Sequence, residues 1–373
     1  MFSAKKWLRG AAAALALGSL GAPAAQAQET IKVGVLHSLS GTMAISETTL
    51  KDVMLMLIEE QNAKGGLLGK KLEPVVVDPA SDWPLFAEKM RDLVSAQKVA
   101  AVFCCWTSVS RKSILPVAEE LDTVVFYPVQ YEGEESSKNI FYTGAAPNQQ
   151  AIPAVDYMME EGVKRWVLEG TDYVYPRTTN KILEAYLLSK GVPAEDIPVM
   201  AFSVGEEELA GIDTAPLVGH LAAWNYFQSV DTPENAAFIK AWHAYIKNDK
   251  RVTNDPMEAH FIGFNLWVKA VEKAGTTDPD KVIDAMVGLS VPNLSGGMAT
   301  MGKNHHITKP TLIGEIQADG QFEVVKEIPA VEGDAWSDFL PESKPLVADW
   351  TDPIRCGNYN SETKTCGGSV KAN

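Results

Sequence analysis

Residues 99–110 read VAAVFCCWTSVS, and this stretch decides the fold. The apolar run Val99–Cys105 is followed by polar residues, which is typical of a buried strand in a parallel sheet. The hydroxyl residues after it can cap a helix, and the pattern predicts one over about 110–121. Open α/β sheets bind their ligands where a strand ends and a helix begins. Because Thr107 and Ser108 are uncharged, the stretch favours a neutral or weakly anionic ligand, and a plain helix cap is the alternative interpretation.

Strand-like and helix-like segments alternate through the first 150 residues. Strands are predicted at Ile31–Leu36, Leu72–Val77 and Thr123–Tyr127, and helices at Thr49–Asn62 and Phe86–Gln97. This alternation indicates an α/β fold with a doubly wound parallel sheet.

A second α/β series begins near Ala151. Strands are predicted at Arg165–Glu169, Pro198–Phe202 and Leu217–Trp224, helices over about 233–248, 256–274 and 279–287, and a hairpin from Leu312–Ile316 and Phe322–Ile328. Two α/β lobes predict a cleft that closes around a solute by hinge motion.

The first 27 residues are predicted to be a cleaved signal peptide. Three basic residues precede the apolar run Ala11–Leu20, and Ala25–Ala27 fits a cleavage site. The run is too short to span a bilayer, and no second candidate follows it. Removal of 1–27 moves the net charge from −15 to about −18. This acidity argues against nucleic acid or an anionic membrane as a partner, and we expect an exported protein without membrane insertion.

The four cysteines form two pairs along the sequence, and each pair carries a different expectation. Cys356 and Cys366 bracket a polar tail, and export predicts a disulfide between them. The alternative, a metal site, lacks a nearby histidine. Cys104 and Cys105 would point to opposite faces of a strand, and we expect two buried, inert thiols.

Enzyme chemistry finds little support in the sequence. There is no Gly-x-Ser-x-Gly motif, and the six histidines show no metal-ligand spacing. No catalytic residue, metal or cofactor is therefore predicted. An enzyme that hydrolyses amides, an amidohydrolase, is the alternative interpretation.

Six segments of the chain resemble periplasmic solute-binding proteins of the branched-chain amino acid and amide type, and most narrowly the urea-binding components of ABC transporters. These segments are Val35–Ala44, Cys105–Lys112, Phe126–Gly133, Gly170–Arg177, Ala201–Glu208 and Asn304–Pro310. The resemblance spans about residues 31–350. It implies a type I periplasmic binding protein fold, with two Rossmann-like lobes joined by three crossover strands.

The resemblance also implies domain boundaries. Lobe 1 would comprise residues 28–147 plus about 257–306, and lobe 2 residues 148–256 plus about 307–350, followed by a polar tail at 351–373. One departure from the family is that lobe 2 lacks a β-α-β unit, because Gly191–Ile197 joins its flanking segments directly.

The same resemblance implies a set of ligand contacts. In lobe 1 they fall on Ser40, Thr107, Ser108, Tyr127, Val129 and Gln130, and in lobe 2 on Tyr173, Ser203 and Glu206. In amino acid binders of this superfamily a threonine hydroxyl at the position of Val129 helps to hold the ligand carboxylate. Val129 cannot do so, which favours urea or another small neutral amide. The alternative for the two tyrosines is that they only fill an aromatic core.

The implied function is the extracytoplasmic, periplasmic solute-binding component of an ABC importer, delivering its ligand to the membrane permease. A sensory or regulatory binding module for amides or amino acids is one alternative. A truncated paralogue with impaired binding is another, because of the missing unit in lobe 2.

Overall fold

The computed structural model describes residues 29–166, 168, 170–192, 204–210, 212–341 and 343, and the backbone of two short strands at Gly357–Asn360 and Thr365–Gly368. The predicted signal peptide, the strand Pro198–Phe202, the site residue Ser203 and Cys356 lie outside the described residues. Of Cys366 only the backbone is described, so the expected Cys356–Cys366 disulfide stays a prediction.

The first half of the chain forms a five-stranded parallel sheet. Its elements are β1 (Thr30–Leu36), α1 (Ala44–Ala63), β2 (Lys71–Val77), α2 (Trp83–Ser95), β3 (Val102–Cys104), α3 (Ser108–Glu120), β4 (Val125–Tyr127) and β5 (Ile140–Tyr142). The strand order is β2-β1-β3-β4-β5. The predicted doubly wound alternation is confirmed, and β5 is an additional strand that the sequence pattern did not indicate.

Aromatic residues on neighbouring strands hold the centre of this first sheet together. Phe103, Phe126 and Phe141 are in register on β3, β4 and β5, and their rings stack with centroid distances of 4.8 and 5.4 Å. All three are 0% exposed. Cross-strand aromatic pairs of this kind stabilise a sheet and fix its register. The register in turn brings the loops after β1, β3 and β4 to one edge.

The second half contains another sheet, together with helices that return to the core of the first sheet. Its elements are α4 (Ala151–Glu160), α5 (Val174–Ser189), α6 (Glu206–Leu209), β6 (Leu221–Trp224), α7 (Pro233–Ile246), α8 (Asp255–Ala274), α9 (Pro279–Met286), β7 (Ser290–Pro292), β8 (Met298–Met301), β9 (Ile307–Ile316) and β10 (Phe322–Glu332). The strands run in the order β10-β9-β8-β7, with β6 also paired to β9. All of these described pairs are antiparallel. The predicted hairpin is confirmed as β9 and β10.

One predicted element of the second half is not formed as expected. The strand expected at Arg165–Glu169 is absent at the three residues that the structure describes there, which are Arg165, Trp166 and Leu168. Trp166 is nevertheless buried against α4 and α5, in a small cluster with Leu183 and Leu187. The apolar character that suggested a strand is therefore used for packing against helices.

Three segments that connect the two sheets lie side by side. The Asn225 side chain donates hydrogen bonds to the backbone oxygens of Gln149 and Pro310, at 3.2 and 2.6 Å. The Gln149 amide in turn donates to the Ile307 oxygen at 2.7 Å. These buried side chains satisfy backbone groups that no sheet partner reaches. The arrangement gives the chain three adjacent crossovers between its two halves.

Candidate functional site

Helix α3 begins at the edge of the first sheet with a threonine cap. The Oγ1 atom of Thr107 accepts a hydrogen bond from the Ser110 backbone N–H at 3.1 Å. The helix therefore starts at Ser108, two residues earlier than the sequence suggested, because Thr107 and not a serine is its N-cap. The first-turn N–H groups of α3 point to the place where the sequence predicted a ligand.

The expectation of two inert thiols at the end of β3 is wrong. Cys104 and Cys105 form a disulfide. Cys104 is the last residue of the strand, and Cys105 has a φ of 79°. Because Cys105 has left the extended conformation, the alternation of side chains along a strand no longer separates the two sulfur atoms.

A buried ionic cluster lies directly beneath the start of α3. The Arg111 side chain, 0% exposed, donates from Nε to Glu135 at 2.7 Å and from Nη2 to Glu132 at 3.0 Å. Its guanidinium lies 4.6 Å from the ring centroid of Tyr127 and 4.5 Å from that of Tyr131. We call these five residues the Arg111 cluster. Charge-assisted hydrogen bonds and cation–π contacts of this kind are strong where water is excluded.

Lys112 balances the charge of the Arg111 cluster. Its Nζ atom lies 2.7 Å from Glu135 and 3.4 Å from Glu132. Burial alone would raise the pKa of Glu135, but the Arg111 and Lys112 charges outweigh it and lower this pKa to about 2. Two cations therefore face two carboxylates, and neither cation is left over to attract an anionic ligand.

Three of the predicted site residues converge on Glu132. Ser108 is 2% exposed, and its hydroxyl donates to Glu132 at 2.5 Å. The Tyr127 hydroxyl donates to the Trp106 backbone oxygen at 2.7 Å. Tyr173, at the start of α5, is half-buried and within electrostatic reach of Glu132. Burial first and the Glu132 charge second raise the pKa of Tyr173 to about 12, so its phenol keeps its proton.

The other predicted residues of the first half lie nearby but differ in accessibility. Ser40 follows β1 at the same edge of the sheet and donates its hydroxyl to Asp78 at 2.7 Å. Val129 and Gln130 are 2% and 5% exposed. Val129 is packed so closely against Gly144 that a Cβ atom there would lie 2.2 Å from its carbonyl carbon. The backbone of Val129 is therefore held tightly against Gly144, and its side chain is buried.

Glu206 turns inward, as the sequence suggested, but one of its oxygens is already used. It is 1% exposed, and its Oε1 atom accepts from the Gln228 backbone N–H at 2.6 Å. Burial, with smaller contributions from the Asp255 and Glu208 carboxylates, raises the pKa of Glu206 to about 8. Helix α6 lies against α1, where Thr49 donates to Glu207. Among the described residues, Glu206 and Ser108 therefore have different hydrogen-bond partners, and no hydrogen bond joins the two.

The sequence interpretation missed the charged residues of the site. Arg111 and Glu132 sit inside segments that carried the family resemblance, and Glu135 lies two residues beyond one of them, yet none was named as a site residue. Charged side chains are almost never fully buried unless they are paired, and pairing across 21 to 24 positions leaves no local pattern. A weak signal existed, since Arg111-Lys112 follows one predicted ligand loop and Glu132 follows the other.

The described residues contain neither a membrane-spanning helix nor a cluster of potential metal ligands. Along the part of the chain that the structure describes, no helix combines the length and apolar character needed to cross a bilayer. Nor do three or more His, Cys, Asp or Glu side chains in that part form an arrangement that could hold a metal ion.

The family follows from a model of the periplasmic binding protein domain, which matches residues 31–195 and 187–342. The chain belongs to this family. The fold agrees with that of other periplasmic binding proteins. The solute-binding protein of an ABC transporter from Rhodopseudomonas palustris, solved with benzoate, superposes with a TM-score of 0.70 at 18% identity, over 82% of this chain and 99% of that one. A leucine-binding protein from Thermotoga maritima superposes with a TM-score of 0.66 at 15% identity, over 80% of this chain and 99% of that one.

Curated relatives of this periplasmic binding protein match only over short stretches. A protein named limonene hydroxylase from Geobacillus stearothermophilus is 30% identical over 132 residues, 35% of this chain and 22% of that one. A Leu/Ile/Val-binding protein homologue from Brucella abortus is 35% identical over 95 residues, 26% of this chain and 24% of that one. The match thus spans less than a quarter of the length of these relatives.

Proposed function

We propose that this periplasmic binding protein is the exported solute-binding component of an ABC importer, and that it binds urea or a short-chain amide between its two lobes. Family membership supports a binding role, and the names of the solved neighbours support transport. The lobes would be residues 28–147 plus about 257–306, and 148–256 plus about 307–350, joined at the three crossovers. Delivery to a membrane permease and a periplasmic location, after cleavage of 1–27, belong to the same proposal.

The observation that carries the choice of ligand is the Ser108–Glu132 hydrogen bond. Glu132 places a carboxylate directly beside the predicted ligand loop, and the two nearby cations are both engaged with carboxylates. A ligand carboxylate would therefore meet a like charge without a spare cation to compensate it. A neutral ligand that presents N–H donors avoids this repulsion. The neighbours solved with benzoate or named for leucine are associated with anionic or zwitterionic compounds, whereas a short-chain amide carries no net charge.

Urea fits the available chemistry. It offers one carbonyl oxygen, which the first-turn backbone N–H groups of α3 can bind. The Thr107 and Ser108 hydroxyls already donate their protons to Ser110 and Glu132, so the Ser108 oxygen would instead accept from a urea N–H. The four N–H groups of urea need acceptors, and Glu132 and the Tyr173 hydroxyl oxygen can supply them. In a closed cleft each polar atom left without a partner costs about 1–3 kcal/mol, so this match of donors and acceptors decides specificity. The binding role requires no catalytic residue, metal or cofactor.

We predict that Ser108→Ala weakens the binding of urea about tenfold. The substitution removes a hydroxyl beside the ligand, and loss of one such hydrogen bond costs on the order of 1–1.5 kcal/mol. Isothermal titration calorimetry of wild-type and variant proteins with urea measures the change. With only four heavy atoms, urea can bind the wild type with a dissociation constant of about tens of micromolar at best.

Ser113→Ala is the matched control, because the same substitution on the same helix removes a hydroxyl that donates to the Val109 backbone oxygen, one turn from the ligand loop. It should leave the affinity for urea unchanged. Equal losses in both variants would show that α3 was merely perturbed, and an unchanged affinity in Ser108→Ala would contradict the proposed site.

A further inference from the structure

Helix α6 touches α1 through a small polar contact. The Thr49 hydroxyl donates to Glu207 Oε1 at 3.2 Å. Arg251 Nη2 donates to Thr49 Oγ1 at 2.7 Å and to Glu207 Oε1 at 3.2 Å. We call these three residues the Glu207 contact. All three members touch one another, so the removal of any one disturbs the other two.

The two sides of the Glu207 contact belong to different hydrophobic cores. On α1, Leu50 and Val53 are buried in the core that contains the first sheet. On α6, Leu209 is buried with Trp224 and Phe322 in the core of the second sheet. The contact therefore bridges the two halves of the molecule at a point distant in sequence from the crossovers.

A second carboxylate of α6 reinforces this bridge. Glu208 accepts from the Gly205 backbone N–H at 3.0 Å and is also hydrogen-bonded to the Ser46 hydroxyl of α1. Two consecutive acidic residues of one short helix thus hold the same turn of α1.

The Glu207 contact is more shielded from solvent than an ordinary surface ion pair, and burial raises the pKa of Glu207 despite the nearby Arg251 charge. The Glu207 side chain is 13% exposed and that of Arg251 is 32% exposed. The Arg251 guanidinium also lies 5.8 Å from the ring centroid of the buried Trp242 on α7. Exposed pairs contribute little because water and salt screen them, whereas this pair is largely shielded. Thr49 and Glu207 lie on helices, and Arg251 lies in the segment between α7 and α8.

We propose that Glu207, gripped by Thr49 and Arg251, is a positioning residue that holds the two halves closed over the ligand. This inference rests on the proposed function, because it assigns to the contact a part in binding between the lobes. Glu207 acts without touching the ligand. A bound solute leaves only after the contact opens, so the contact chiefly slows dissociation.

A double-mutant cycle tests the proposal, with urea as the probe. Glu207→Gln and Arg251→Gln should each raise the dissociation constant about 3- to 10-fold. The dissociation constant of the double variant should be no higher than that of whichever single variant binds urea more weakly. Stopped-flow tryptophan fluorescence should show the change in the dissociation rate, with the association rate nearly unchanged. Small-angle X-ray scattering of the unliganded variants should show a larger radius of gyration than for the wild type.

Two further variants complete the design. Thr49→Val keeps the shape of the side chain and removes the hydroxyl, and it should reproduce the opening seen with Glu207→Gln. Glu120→Gln is the matched control, since it breaks the Arg91–Glu120 pair within the first half of the chain. It should change neither the scattering nor the affinity. Thermal melting identifies a variant that fails to fold. In that case the variants at the other residues of the Glu207 contact are used for the scattering and affinity measurements.

Additive effects of the two single substitutions, or scattering and affinity equal to those of the wild type, would overturn the proposal. A wild type that binds no urea would refute the proposed ligand, but the scattering of the unliganded variants would still show whether the contact holds the halves together. The two proposals can therefore fail separately.

Discussion

Arg111→Met will lower the free energy of unfolding by about 3–5 kcal/mol at pH 7. The substitution leaves the Glu132 and Glu135 carboxylates buried, with Lys112 as the nearest remaining cation. It also removes the guanidinium from its position over the Tyr127 and Tyr131 rings. Removal of one member of a buried ion pair is costly because the desolvated partner charge stays behind.

Urea denaturation would compete with ligand binding, so guanidinium chloride unfolding at several pH values is the appropriate measurement. In the wild type the pKa of Glu135 is about 2, below the unfolded value of 4.5, so its contribution to stability is present above pH 4.5 and is lost as the pH falls toward 2. Without Arg111 this pKa rises, and the destabilisation should shrink as the pH falls and Glu135 becomes protonated. Arg91→Met, which breaks an exposed pair, is the control and should leave stability nearly unchanged. A loss no greater than that of the control would contradict the account of the cluster.

Lys309→Met will also lower the free energy of unfolding, by about 3–5 kcal/mol at pH 8. This residue lies at the crossovers between the two halves. Lys309 lies on β9, is 0% exposed, and donates to Glu258 of α8 at 2.6 Å. Asp255, also on α8, lies 3.7 Å away. One cation therefore serves two buried carboxylates, and the substitution leaves both without a counter-ion.

The pKa of Glu258 determines how the stability loss caused by Lys309→Met varies with pH. Burial already raises the pKa of Glu258 to about 7, despite the opposing charge of Lys309. Because the native pKa exceeds the unfolded value of 4.5, the protonated carboxyl is favoured in the folded state, and stability falls as the pH rises from 4.5 through 7. Without Lys309 the pKa values of both acids rise further, so the loss should be greatest at pH 8 and small near pH 5.

Chemical denaturation at pH 5 and pH 8 measures the difference, with Lys326→Met as the matched control. Lys326 pairs with Glu160 on the surface, and its loss should have little effect at either pH. A Lys309→Met penalty that is equal at pH 5 and pH 8 would show that packing, and not charge, accounts for it.

Most of the first sheet was predictable because β1 and β2 are seven residues long and the short strands β3 and β4 lie within longer apolar runs. The runs at β1 and β2 were placed within one residue of their observed bounds. The missed strands β5, β7 and β8 contain only three or four residues, too few for a two-residue period to be recognised. The strand expected at Arg165–Glu169 failed for the opposite reason, since an apolar run can be buried against helices without sheet pairing.

The candidate site was predictable only in part. The hydroxyl residues after β3 indicated Ser108, and the family resemblance implied Tyr127 and Tyr173; the structure brings all three toward one carboxylate. That carboxylate, Glu132, could not be found from the sequence because its partners are fixed only by the tertiary fold. The Cys104–Cys105 disulfide was missed since it depends on the positive φ of Cys105, which an apolar strand pattern does not suggest.

The most direct test of the central claim is one calorimetric series on the wild-type protein, in which urea, acetamide, leucine and benzoate are titrated under identical conditions. We expect heat from urea or acetamide, with a dissociation constant of about tens of micromolar for urea, and none from leucine or benzoate. Micromolar binding of leucine or benzoate, with no heat from either amide, would contradict the assignment of a neutral-amide site at Ser108 and Glu132.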